Sequence, residues 1–167
     1  SRCVGSSSSN PDPSRGREVQ PHGCHLLVIF LLHCAAALFM TGVIWFVQIV
    51  HYPLFEFVGG RFSDYAREHT RRTTPVVAPV MILELFSGLW LAWSASDTMV
   101  LGLRINAGLL LVTWLSTLIL QVPLHHRLKE SDGASEVPRL VAGNWVRTVC
   151  WSVRAILLLW LLSTSVA

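Results

Sequence analysis

Between Val19 and Phe55 the chain carries no aspartate, glutamate, lysine or arginine, and a run of that length leaves few options for folding. About 20 consecutive apolar residues cross a bilayer, and Leu26–Val50 exceeds that with margin. Charged residues elsewhere also fall in blocks between long uncharged stretches. Thr73–Ser96 holds a single charge, Glu84, Ile105–Leu124 holds none, and Leu140–Ala167 holds only Arg147 and Arg154. A soluble domain would spread its charges over every surface element; this chain is only 14% charged, against about a quarter in soluble domains. The expected fold class is all-α: an integral membrane bundle of four antiparallel helices spanning about 26–50, 74–95, 103–124 and 143–163.

A secretory signal with its core at Leu26–Leu32 and cleavage near Ala35–Ala37 is the rival reading of the first stretch. The apolar run continues through Leu38–Val50, which a cleaved signal does not need. Residues 1–20 are polar, contain Ser6–Ser9 and two prolines, and are expected to be a disordered tail. Residues 21–167 form the membrane domain.

Between spans one and two, Phe62, Tyr65, Ala66 and His69 recur at helical spacing, opposed by Arg61, Asp64, Arg67, Glu68, Arg71 and Arg72. That pattern predicts a short amphipathic helix lying along the membrane surface. Pro75 is expected in the first turn of span two and Pro79 at a mild kink. A short connector around Asp97 makes spans two and three a hairpin, and a Ser/Asp/Gly turn lies between spans three and four.

Orientation follows from the Lys and Arg counts of the loops. The two long connectors hold seven, namely Arg61, Arg67, Arg71, Arg72, Arg127, Lys129 and Arg139; the opposite side holds four, Arg2, Arg15, Arg17 and Arg104. Both connectors are therefore expected to be cytoplasmic and both termini outside.

Ionisable groups within a span are costly and usually face a partner or a cavity. At 1.5 Å per residue, Glu84 and Arg154 each lie about 15 Å from the connector face, so they can pair. Asn144, Arg147, Trp151 and Arg154 form one stripe on span four; Thr41, Trp45, Gln48 and Tyr52 form another on span one, with His51 beside it. Gln121, His125 and His126 close span three on the same face, whereas Leu26–Leu32 and Leu157–Leu162 make the far half aliphatic. Two arginines exceed what one glutamate neutralises. The surplus points to a polar cavity for a small lipophilic, electron-rich or anionic ligand, with Thr41, Gln48, His51, Glu84, Asn144, Arg147 and Arg154 as its binding residues. The competing reading is that these groups only fasten the helices together.

No cofactor is evident. Haem or metal binding through His51, His69, His125 and His126 is not expected, because no H-x-x-x-H or H-E-x-x-H spacing exists. Cys3, Cys24, Cys34 and Cys150 form no C-x-x-C pair, so neither a disulfide framework nor a zinc site is expected. The basic residues form no block interleaved with aromatics, which argues against nucleic acid as a partner. Membrane lipid and a second copy of the chain are the partners left. Trp90, Trp93, Trp114, Trp145 and Trp160 suit interfacial anchoring and packing, and Gly88 with Ala92 suits close helix approach.

The segments GVIWFVQIVHYPLF (Gly42–Phe55), HTRRTTPVVAPVMILEL (His69–Leu85), QVPLHHRL (Gln121–Leu128) and GNWVRTVCWSVRA (Gly143–Ala155) resemble a group of uncharacterised bacterial four-span membrane proteins over about residues 38–163. More distantly, V-P-L-x-x-R-L and N-W-x-R-T resemble the anthrone-oxygenase-like family. That resemblance implies a bacterial inner membrane and oxidation of a flat polycyclic aromatic substrate without an obvious bound cofactor. Asn144 and Arg147 match the shared motif. The family more often carries Asn where His125 and His126 stand here, which bears on the substrate.

Overall fold

The computed structural model describes residues 21–95, 99–130 and 133–166, which are almost wholly helical and include no strand. Helix α1 covers Pro21–Phe46 and continues through a π turn, Val47–His51, and a 3₁₀ turn, Pro53–Phe57. Helix α2 is Phe62–Ser94. Helix α3, Val100–Ser116, runs through a second π turn, Thr117–Gln121, into α4, Val122–Arg127. A 3₁₀ turn, Gly133–Glu136, leads into α5, Val137–Val166. Four helical stretches, His25–Phe57, Phe62–Ser94, Val100–Arg127 and Ala134–Ser165, are long and apolar enough to cross a membrane, as the charge-free runs predict. The expected tail, the connector around Asp97 and residues Ser131 and Asp132 of the last turn lie outside the described residues.

The amphipathic segment is not a separate helix. It forms the first turns of α2, which is continuous for 33 residues. Pro75 and Pro79 therefore sit inside a helix rather than at its start. A proline there removes one N–H and crowds one carbonyl, which bends a long helix without ending it. The charges of this segment pair with one another: Glu68 meets Arg71 and Arg72, and Asp64 meets Arg61 and Arg67. All are exposed, so each pair contributes little to stability.

Both π turns have the same local cause. Pro53 and Pro123 each stand two residues beyond the end of a five-residue π turn. A proline lacks the N–H for an i→i−4 bond and collides with the carbonyl at i−4. Widening the preceding turn relieves that collision, and the bonds from Tyr52 N to Val47 O and from Val122 N to Thr117 O accordingly span five residues. Each widened turn carries one buried glutamine, Gln48 in the first and Gln121 in the second.

Helix α1 packs on α2 and α5, and α3 packs on the same two helices. At one end lies an apolar cluster of Phe30, Cys34, Ala37, Leu91, Leu103, Leu158 and Leu161. Met40, Ile44, Met81 and Trp151 fill the middle. Tyr52, Phe55, Phe62, Ala66, Leu128, Val137 and Leu140 close the connector end. Two glycines permit the closest approaches. A Cβ on Gly88 would stand 2.8 Å from His33 Cε1, and one on Gly102 would stand 2.8 Å from Leu161 Cδ2.

Candidate functional site

The interior holds two kinds of polar group: those whose hydrogen bonds join helix to helix, and those that border a void. The first kind makes a continuous network at the level of His33. His33 Nδ1 and the Ser87 hydroxyl are 2.8 Å apart, and His33 Nε2 donates to Asn106 Oδ1 over 3.2 Å. Arg154 Nε also reaches Asn106 Oδ1, at 3.4 Å, and Arg154 Nη1 lies 3.0 Å from Glu84 Oε1. That last contact is close enough for an ion pair although its angle is poor for a hydrogen bond. Trp151 Nε1 donates to both Glu84 oxygens, at 3.3 and 3.1 Å. Four helices contribute to this network, and Glu84 and Arg154 are fully buried within it.

A second set joins the first π turn to the start of α5. Asn144 Nδ2 and the Thr148 hydroxyl donate to Gln48 Oε1, at 2.9 and 3.4 Å, and Gln48 Nε2 donates to the Val141 carbonyl. Thr41 donates to the Ala37 carbonyl and, at 3.3 Å, to the Trp151 carbonyl. The two stripes read from the sequence thus face each other, and their amides are spent on each other.

Toward the connector end, α1, α2, the α3–α4 stretch and α5 part around a cleft of about 330 Å³, within the range of small-molecule sites. Its deep walls are apolar and include Met40, Ile44, Val77, Met81, Ile82 and Leu118; its polar groups include Tyr52, His69, Gln121, His125, Lys129 and Arg147 beside several threonines. Among the described residues no carboxylate borders it. Arg147 is 7% exposed; its Nη1 donates to Asn144 Oδ1 and its guanidinium carbon lies 5.2 Å from the Trp151 ring centroid. Arg147 Nε has no hydrogen-bond partner, and neither does either amide atom of Gln121, a residue 1% exposed. Gly143 lets that amide settle against α5, since a Cβ there would stand 3.3 Å from Gln121 Nε2.

Two hydrogen-bonded ring pairs line up beside the cleft. His51 Nε2 and His69 Nδ1 are 2.7 Å apart, and Tyr52 Oη and His125 Nε2 are 3.0 Å apart. The His69 and His125 rings stack with centroids 5.7 Å apart. Among the described residues no three His, Cys, Asp or Glu side chains are arranged to hold a metal ion.

No family model, curated protein or solved structure matches this chain.

Of the seven residues expected at a binding site, only Arg147 borders the cleft. Thr41, Gln48 and Asn144 lie in the α1–α5 contact, and His51 stands behind His69. Glu84 and Arg154 meet as expected but do not bound the cavity, because Met40, Met81 and Trp151 stand between the connector end and that pair. The far half is also less aliphatic than expected, since His33, Ser87 and Asn106 are buried there. Sequence reasoning missed that trio, and it missed His69 and Trp114 as cleft residues. Only the helical spacing of His69 with Phe62, Tyr65 and Ala66 pointed inward.

Proposed function

We propose that the four apolar stretches form an antiparallel bundle in a bacterial inner membrane, with both termini outside, and that the cleft binds a small lipophilic aromatic or quinone-like molecule. The observation that carries this reading is the pairing state of the cleft's polar groups. Arg147 Nε, both amide atoms of Gln121 and Trp114 Nε1 are buried at the cleft without partners, whereas Gln48, Asn144, Glu84 and Trp151 are bonded and Arg154, though two of its nitrogens lack hydrogen bonds, is ion-paired with Glu84. A buried polar atom left unpaired costs about 1–3 kcal/mol, so native interiors rarely keep several together. Gln121 is sealed from solvent, so its amide meets a ligand by turning its side chain toward the cleft. A ligand with oxygen at the polar end and a flat apolar body satisfies both regions. The N-W-x-R-T resemblance to the anthrone-oxygenase-like family adds oxidation as the reaction class, with Arg147 in the shared motif.

A non-enzymatic membrane subunit is the second reading, supported by the Glu84–Arg154 network, which joins four helices. The two are separated by purifying the protein in mild detergent, extracting it into organic solvent and following oxygen uptake with a polycyclic phenol. A co-extracted aromatic compound together with protein-dependent uptake supports the first; an inert preparation with an empty extract supports the second.

A further inference from the structure

The cleft's charge composition says in what form its occupant binds. We infer that the ligand is a lipophilic phenol bearing a second oxygen and that it is held as the anion, having lost its hydroxyl proton on entry. This rests on the reading of the cleft as a ligand site.

The cations on the wall are Arg147 and Lys129, and the other titratable groups there are His69, His125, His126 and Tyr52; among the described residues no carboxylate faces them. His51 adjoins from α1 through His69. Near the mouth, Glu68 of α2 is engaged by Arg71 and Arg72, and Glu136 lies beside Arg127 and Arg139. Glu84, the acid buried mid-span, is taken by Arg154 and Trp151. Arg147 is thus a buried guanidinium whose neighbours among the described residues, Asn144 and the Tyr52 hydroxyl, are neutral groups and not a carboxylate. Burial of an uncompensated cation strongly favours any anion that can reach it. A neutral ligand would leave that charge uncompensated.

The second oxygen follows from Gln121. Both its Oε1 and its Nε2 lack partners, so the amide needs an acceptor and a donor whichever way it is turned. A carboxylate offers acceptors only, whereas a phenolate carrying a further hydroxyl offers both. The flanking apolar residues Met40, Ile44, Val77, Met81 and Ile82 receive the remainder, which places the oxygens toward the connector and the hydrocarbon inward. On binding, the phenolic O–H bond breaks, its electron pair stays on oxygen beside Arg147, and the proton leaves through the mouth to the buffer.

The test uses the full chain in lipid nanodiscs with two probes of one shape: an alkyl-substituted 4-nitrophenol carrying a hydroxymethyl group as its second oxygen, and the methyl ether of its phenol oxygen, which cannot ionise. Nitrophenolate absorbance reports ionisation directly. Expected are saturable binding of the phenol, an ionisation midpoint lowered by about one pH unit or more relative to empty nanodiscs, equivalent to a ten-fold change in ionisation, and about ten-fold weaker binding of the ether. Arg147→Gln should abolish the shift and Arg147→Lys should keep part of it. Equal binding of both probes with an unmoved or raised midpoint overturns the anion claim while leaving the cleft as a ligand site. Failure of both probes to bind saturably overturns the cleft reading along with it. The wild-type comparison holds even if an Arg147 variant does not fold.

Discussion

Arg154 Nη1 and Glu84 Oε1 stand 3.0 Å apart with both side chains fully buried, and Trp151 occupies the carboxylate from the other side. That arrangement assigns the pair to holding helices together. Glu84→Gln leaves a buried guanidinium uncompensated, and losing one member of such a pair costs about 3–5 kcal/mol. The expected result is a large drop in thermal stability in detergent, with ligand binding retained by the folded fraction. Replacing both partners by apolar residues (Glu84→Leu with Arg154→Met) should cost less than the single change. A fully stable Glu84→Gln protein that has lost binding would instead move Glu84 into the site.

Gly88→Ala should destabilise the α1–α2 contact. The new methyl would lie 2.8 Å from His33 Cε1 and 3.0 Å from Leu110 Cδ2. The imidazole is fixed between Ser87 and Asn106, and Leu110 is fully buried, so neither can retreat freely. Overpacking of this kind costs about 1–3 kcal/mol, read as a lowered unfolding midpoint.

The proposed orientation predicts a labelling pattern. In a background with Cys3 and Cys24 replaced by serine, Thr164→Cys should react with a membrane-impermeant maleimide on intact cells, and Ser63→Cys only after permeabilisation. The remaining Cys34 and Cys150 are buried and should stay unlabelled. The reverse pattern would invert the topology drawn from the Lys and Arg counts.

The spans were legible because the bilayer imposes length and the exclusion of charge locally, residue by residue. The polar faces carrying Gln48 and Asn144 were legible too, since polar residues repeating every three or four positions mark one helical face, although the sequence read both as ligand-binding groups and not as partners of each other. His33, Ser87 and Asn106 gave no such signal. They lie on three different helices, 54 and 73 positions from His33 along the chain, and only packing brings them together. The π turns hid the cleft in a different way. They shift the register of Gln48 and Gln121 against an ideal helix, so 3.6-residue spacing misplaces the faces beyond them; Pro53 and Pro123 were the available cue. The cleft itself is a gap between four helices, and no single segment encodes it.

Whether the cleft bordered by Arg147 holds a lipophilic molecule is decided by native mass spectrometry of the detergent-extracted protein, wild type beside Val77→Trp. Val77 lies on the cleft's apolar wall, so the indole would fill the space without touching Arg147's partner Asn144. Expected is a discrete added mass of a small organic molecule on the wild type and bare chain for a folded Val77→Trp. Bare chain in both, or the same added mass in both, would contradict it.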